Sequence, residues 1–274
     1  MSNDLVSIIM PSYNCGEYVE ETIRSVQAQT YQNWEVIFFD DCSSDDSVQK
    51  VNDLRAEDKR IHIFLNKYNA GAAVSRNNAL QEAKGRWIAF LDSDDLWEPT
   101  KLEKQIRFME ENGYAFSYTA YQEIDSESKA TGVYVSGPKH VSKAGMYAFC
   151  WPGCLTVMYD ATKVGLIQIA DIKKNNDYAM WLKVCQKVHC YLLNECLAKY
   201  RRGRVGSVSS HGILTMIGWH YKLWHEAEGK NPIAALWYTG VNLVCGGYKK
   251  MRYVKRNDND NDNQNDNDNQ NDNE

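Results

Sequence analysis

The feature that most constrains this chain is the regular alternation along its first hundred residues. Short apolar runs recur at Val6–Met10, Trp34–Phe39, Ile61–Leu65 and Trp87–Leu91. Each has strand length and is bounded by polar or turn-forming residues, so each reads as a buried strand. The segments between carry apolar residues at helical spacing. Asn14, with Glu17 three residues on, marks a helix start, after which Val19, Ile23 and Val26 share one face. Val48, Val51 and Leu54 face inward from a second helix. Ala72 to Ala83 reads as a helix of small residues ended by Gly85, where a left-handed cap is expected. This pattern predicts an α/β fold: a mostly parallel, Rossmann-like sheet with helices on both faces.

The second half is less regular. Leu102–Met109 and Asp177–Val184 are expected as helices, and Ala115–Tyr121, Leu155–Tyr159 and Leu197–Tyr200 as strands. Residues 211–229 and 232–254 read as two helices rich in Trp and Tyr. No linker precedes residue 257, so the halves are expected to share one body. Residues 257–274 read NDNDNDNQNDNDNQNDNE, a tail too polar to pack and expected to be disordered. It has neither the Gly nor the spaced Glu of a calcium loop.

In an open α/β sheet, ligands bind outside the carboxyl ends of the strands. Here those ends are polar in turn: Pro11-Ser12-Tyr13-Asn14, then Asp40-Asp41-Cys42-Ser43-Ser44-Asp45, then Asn66, Asn69 and Gly71, then Asp92-Ser93-Asp94-Asp95. Three carboxylates within four residues repel one another unless a cation neutralises them. Carboxylate oxygens suit Mn²⁺ or Mg²⁺, whose shell a diphosphate would complete. A solvated acidic turn, with one Asp capping a helix, accounts equally for this cluster alone. Ser43, Ser44 and Asp45 serve as caps for the next helix, whereas capping leaves Asp40 and Asp41 unexplained. No G-x-G-x-x-G and no G-x-x-x-x-G-K-[ST] follows a strand, which disfavours a dinucleotide cofactor and excludes a P-loop.

Of the formal net charge of −5, the tail carries −7 in six Asp and one Glu, leaving +2 for residues 1–256. Lys249, Lys250, Arg252, Lys255 and Arg256 cluster beside Tyr248 and Tyr253. That cluster suits peripheral contact with an anionic membrane, or is simply a solvated helix end. No apolar run is long enough to cross a bilayer and the first residues do not resemble a signal peptide, so a cytoplasmic protein is expected. Eight scattered cysteines without a C-x-x-C pair fit reduced thiols. No nucleic-acid partner is expected.

Four segments together resemble family 2 glycosyltransferases of the GT-A fold. They are SIIMPSYNCGEYVEETIRSVQAQTYQNWEVIFFDDCSSDDS at 7–47, NAGAAVSRNNALQEAKGRWIAFLDSDDLWEP at 69–99, NDYAMWL at 176–182 and YRRGRVGSVS at 200–209. The resemblance implies a nucleotide-sugar-binding half over 1–110, an acceptor-binding half over 111–210, and a helical extension over 211–256 before the tail. It implies donor contacts from Pro11, Tyr13, Asp41, Arg76, Asp92, Asp94 and Arg201, with Asp41 reading an N–H of the base. It further implies metal contacts from Asp94 and Asp95, and Asp177 as the catalytic base. Tyr200-Arg201 and the Gly/Ser-rich loop after them would close over the diphosphate. Two positions depart from the family pattern: Cys42 stands where Gly is usual, and Asn176 where Glu is usual. An Asp beside a helix start can also be just its N-cap, so both readings of Asp177 stand.

The expected activity is inverting transfer of one sugar from a nucleotide-sugar, a UDP-hexose, to an acceptor hydroxyl. The Q-x-x-R-W signature of processive synthases is absent. A saccharide or lipid-linked saccharide of surface polysaccharide assembly is the expected acceptor. Trp97, Tyr118, Tyr121, Trp151, Trp181, Trp219 and Trp224 are aromatic faces for sugar rings, most of them expected in the core. Two rivals are a sugar nucleotidyltransferase, which would need a basic residue in Pro11–Glu17, and a non-catalytic nucleotide-sugar-binding subunit, which Asn176 alone supports.

Overall fold

A computed structural model describes residues 2–203 and 212–256. In chain order the elements are β1 (Ser2–Ser12), α1 (Val19–Gln27), β2 (Trp34–Asp40), α2 (Ser47–Glu57), β3 (Ile61–Leu65), α3 (Ala72–Glu82), β4 (Gly85–Phe90) and β5 (Leu96–Trp97). There follow α4 (Lys101–Asn112), β6 (Phe116–Ile124), β7 (Ala130–Val135), β8 (His140–Val141), α5 (Lys143–Ala148), β9 (Met158–Asp160) and α6 (Ala161–Val164). The chain continues through α7 (Asn176–Val184), β10 (Cys190–Arg201), α8 (Ile213–Lys222), α9 (Pro232–Tyr253) and β11 (Val254–Arg256).

One sheet organises the molecule, in the order β11-β7-β6-β9-β4-β1-β2-β3. β3, β2, β1 and β4 are parallel, as the alternating pattern predicts. Beyond β4 the sheet turns mixed: β9 pairs antiparallel with both β4 and β6, whereas β10 runs parallel to β6. The four parallel strands are apolar on both faces because helices cover both. Val6, Ile8 and Met10 of β1, with Val36 and Phe38 of β2 and Trp87 and Ala89 of β4, pack with Ile23, Val51 and Leu102 of α1, α2 and α4. The alternate residues Ile9, Ile37, Phe39, Ile88 and Phe90 pack with Leu80 of α3 and Trp181 of α7.

Several local expectations change. Asn14 is not a helix cap: it has φ 48° and its Oδ1 accepts from the Ser44 N–H, while α1 begins at Val19. Gly85 is not a left-handed cap either. It opens β4, where a Cβ would sit 2.5 Å from the Leu5 carbonyl, so glycine is required by close approach to β1. The apolar run Leu155–Tyr159 divides into a 3₁₀ turn at Cys154–Thr156 and the short β9. A π-helical turn, Leu223–Ala227, follows α8, and its Trp224 donates to Asn242 of α9. All eight cysteines are free thiols. The tail at 257–274 lies outside the described residues.

Candidate active site

The parallel strands bring their polar ends to one edge through backbone hydrogen bonds. Ser12 is in register with Asp40, and the Asp41 N–H donates to the Ser12 carbonyl at 2.8 Å. The Asn66 N–H donates to the Asp40 carbonyl at 2.8 Å, and the Leu91 N–H to the Ile9 carbonyl at 3.1 Å. Pro11, Asp41, Asn66 and the turn starting at Asp92 therefore border one rim.

Asp41 is buried and organises that rim. Its Oδ1 accepts from Asn66 Nδ2 at 2.7 Å and from the Ala70 N–H at 2.8 Å, and its Oδ2 from the Gly71 N–H at 2.7 Å. Asp40 instead accepts from the Ser43 N–H and hydroxyl. Cys42, between these loops, has φ 62°, the left-handed region glycine favours. Tyr13 is about half exposed above the end of β1.

The acidic turn after β4 is clamped from two sides. Thr22 of α1 donates to the Ser93 carbonyl at 3.1 Å. From β10, the Arg201 N–H donates to Asp95 Oδ1 at 2.9 Å, and Arg201 Nε to the Asp94 carbonyl at 2.8 Å. The rest of the Arg201 guanidinium donates to the carbonyls of Asp125 and Ser126, the Ser128 hydroxyl and Glu21 Oε2. Its side chain is fully buried and committed to protein acceptors. The structure thus makes Arg201 the residue that holds the turn. The Gly/Ser-rich loop at 204–209, expected to close over a diphosphate, lies outside the described residues.

The three carboxylates of this turn are not equivalent. Asp92 pairs with Arg76 of α3. Asp95 is buried, and burial together with the charges of Asp94 and Asp92 pushes its carboxyl well above the usual range. Asp94 is half-buried. Among the described residues no three His, Cys, Asp or Glu side chains stand ready to enclose a metal. Asp94 and Asp95 offer two carboxylates in an acidic surrounding. That donor set fits a hard divalent ion whose remaining ligands are phosphate oxygens and water.

Arg76 joins this turn to the start of α7. Its guanidinium donates to Asp92 and, at 2.8 Å, to Asn176 Oδ1. The neutral Asn176 is therefore a fixed acceptor in a buried bridge. Asp177 follows it within the first turn of the helix, while Asn175 holds the cap position without a side-chain cap bond. Asp177 Oδ1 accepts the adjacent Tyr178 N–H at 2.8 Å, so Asp177 is not the cap. Burial raises its pKa, Arg76 opposes the rise, and Asp92 adds to it. A carboxylate held partly desolvated beside a cation has the character of a general base.

Sequence reasoning missed the residues around Asp177. The Cys154 thiol feels the charges of Arg76, Asp92, Asp177 and Asp95, and burial pushes its pKa well up. Cys150 is half-buried, and its thiol feels the charges of Asp177 and Lys249. Lys249 of α9 donates from Nζ to the Trp151 carbonyl at 2.7 Å and is thus removed from the basic cluster assigned to it. No spacing pattern links these positions. Of the aromatic faces, Trp97, Tyr118, Trp181 and Trp224 are core, while Tyr121 and Trp219 remain partly exposed.

A model of the family described as glycosyl transferase family 2 matches residues 7–145. The chain is 41% identical over 253 residues to the UDP-Glc:α-D-GlcNAc-diphosphoundecaprenol β-1,3-glucosyltransferase WfaP of Escherichia coli, a match spanning 91% of this chain and 99% of WfaP. Among solved structures, S. aureus TarS 1-349 in complex with UDP-GlcNAc superposes with a TM-score of 0.66 at 18% identity, covering 91% of this chain and 74% of that one. The mannosyltransferase PcManGT from Pyrobaculum calidifontis, in complex with GDP-Man and Mn²⁺, gives a TM-score of 0.63 at 13% identity, covering 90% and 76%. The structural likenesses establish the GT-A fold, and the family match with the close relative establishes the rest: this chain belongs to glycosyl transferase family 2 and is a glycosyltransferase.

Proposed function

We propose that the chain transfers one hexose from a UDP-sugar to a hydroxyl of a sugar carried on a polyprenyl diphosphate, with inversion. The observation that carries this reading is the buried Arg76 bridge, which holds the Asp92–Asp95 turn and the Asp177 helix in one polar site. The acceptor class is taken from the activity in WfaP's name.

In this reading Pro11, Tyr13 and Asp41 bind the base. Asp41 Oδ2 accepts from the Gly71 N–H, and its remaining lone pair can accept an N–H of uracil. Arg76 and Asp92 line the donor site beside the diphosphate. A divalent cation held by Asp94 and Asp95 supplies neutralisation of charge on the leaving diphosphate; Mn²⁺ in the PcManGT complex supports that choice. Arg201 keeps the two carboxylates in place. Asp177 removes the acceptor hydroxyl proton as that oxygen attacks the anomeric carbon opposite the departing nucleoside diphosphate. A single displacement turns an α-linked donor into a β-linked product. It needs no carboxylate nucleophile, in contrast to retaining hydrolysis.

The test is product analysis of the purified chain with UDP-glucose, other sugar nucleotides and a synthetic GlcNAc-diphospho-lipid. A β-linked disaccharide lipid, formed only with divalent cation, is expected. A retained α-linkage, or turnover unchanged by chelator, would contradict the mechanism. Pyrophosphate release from UTP and a sugar phosphate would favour the nucleotidyltransferase instead.

A further inference from the structure

α9 is a 22-residue helix with one face buried and the other, among the described residues, unpartnered. Inward, Ala235, Thr239 and Asn242 are buried, and Asn242 Nδ2 donates to the carbonyls of Tyr147 and Ala148. Outward, Ile233 is 83% exposed, Trp237 70%, Val244 74% and Met251 83%, with Leu236 and Tyr248 beside them. Positions 233, 237, 240, 244, 247 and 251 repeat at intervals of four and three, so they form a continuous stripe on one side. Gly240 and Gly247 occupy the two gaps, with open space where a Cβ would stand. At about 27 Å the stripe is too long to be a scattering of single exposed residues.

Charge and the acceptor proposed above together indicate what covers it. From Pro232 to Arg256 the chain has no Asp or Glu. Lys250 and Arg252 at the end of α9, and Lys255 and Arg256 of β11, are all exposed. The six Asp and one Glu of residues 257–274 follow this cluster, so a second copy of the chain would bring carboxylates as well as apolar surface. A bilayer with anionic headgroups also supplies both, and it is where the lipid-linked acceptor proposed above resides. No described helix is long and apolar enough to cross a membrane, so α9 would lie in the interface.

We propose that the outer face of α9 docks on an anionic lipid bilayer, apolar stripe inserted and the Lys250–Arg256 cations on the headgroups. The inner face of the same helix holds Tyr147, Ala148 and, through Lys249, Trp151. That segment leads to Cys150 and Cys154, beside Asp177. Docking therefore sets the acceptor side of the site next to the membrane, which extends the lipid-linked acceptor reading above.

The experiment is sedimentation of the full chain with phosphatidylethanolamine vesicles containing phosphatidylglycerol, against phosphatidylcholine vesicles. It is repeated for Trp237→Ser/Val244→Ser/Met251→Ser and for Lys250→Gln/Arg252→Gln/Lys255→Gln/Arg256→Gln. All these positions are exposed, and melting curves check that both variants fold. The unmodified chain binds the anionic vesicles, more weakly as salt rises. The charge variant loses at least about 10²-fold in partition coefficient, from about fivefold per basic residue. The stripe variant loses binding to a similar extent. The proposal is overturned if the unmodified chain binds neither vesicle, if the stripe variant binds as the unmodified chain does, or if light scattering without lipid shows a dimer that the stripe variant abolishes. Binding is read without substrate, so its failure leaves the glycosyl-transfer reading intact, and failure of transfer leaves docking intact.

Discussion

Replacing Arg76 by Gln removes the cation that joins the two halves of the site. Its guanidinium makes two charge-assisted hydrogen bonds, to Asp92 and Asn176. Such bonds contribute about 1.5–3 kcal/mol each. Against them stands the Arg76 Nε, buried without an acceptor among the described residues, which costs about 1–3 kcal/mol. A Gln side chain can keep one of the two bonds. The expected net loss is about 2 kcal/mol, or a fall in Tm of roughly 4–8 °C. The second effect is on the base. Arg76 lowers the Asp177 pKa against burial and Asp92, which raise it. Without Arg76 the Asp177 pKa rises further. A general base acts deprotonated, so activity falls as pH drops through that pKa. The acid limb of the kcat profile in Arg76→Gln therefore moves to higher pH, while Arg76→Lys, which keeps the charge, shifts it less. The assay is initial rate against pH with saturating donor, alongside melting curves. An acid limb at the same pH as in the unmodified enzyme would refute the electrostatic link. An unchanged Tm would refute the bridge.

Two further changes follow from the packing. Cys42→Gly relieves a left-handed residue that costs about 1–2 kcal/mol for a side chain; after the added freedom of the unfolded chain, stabilisation of roughly 0.5–1 kcal/mol is expected in urea unfolding. A destabilised Cys42→Gly would mean that the Sγ contact to the Asn66 carbonyl outweighs the strain. Lys101 is fully buried, with Nζ bonded to Gln105 and 4.1 Å from the Trp97 ring centroid, and burial lowers its pKa from 10.5 to about 7. Between those values the unfolded chain binds more protons, so this group's contribution to stability grows as pH rises. The stability of Lys101→Met relative to the unmodified protein should therefore decline from pH 7 to pH 9, and a pH-independent difference would rule the assignment out.

The parallel half was legible because its strands are apolar runs bounded by polar rims, and the rim acids stand out by number alone. The second half was less so. Its strands pair across long separations, as β10 does with β6 and β5, and no local pattern encodes that register. Gly85 shows the limit locally: a glycine after a helix reads as a cap, and only the neighbouring β1 reveals the close approach. At the site, Asp41 and the Asp92–Asp95 cluster stand out by type and position, whereas Asp177 is singled out only by the family resemblance. Their partners do not stand out, because Arg76 and Asn176 lie 100 residues apart in the chain. Arg201 was expected to face the donor, yet its donors go to Glu21, Asp94 and the 125–128 turn, which no motif predicts.

The reaction proposed here turns on Asp177 as the base. Asp177→Asn keeps shape and can still accept from the Tyr178 N–H, and since Asp177 is not the helix cap, little stability is at stake. UDP-sugar affinity by calorimetry and transfer rate should be measured on one folded preparation. Donor affinity within a few-fold of the unmodified enzyme is expected, with a transfer rate lower by about 10²–10⁴-fold. Near-normal transfer by the Asn variant would contradict the assignment of Asp177, and the base would then have to be sought at Asp171 or Glu195.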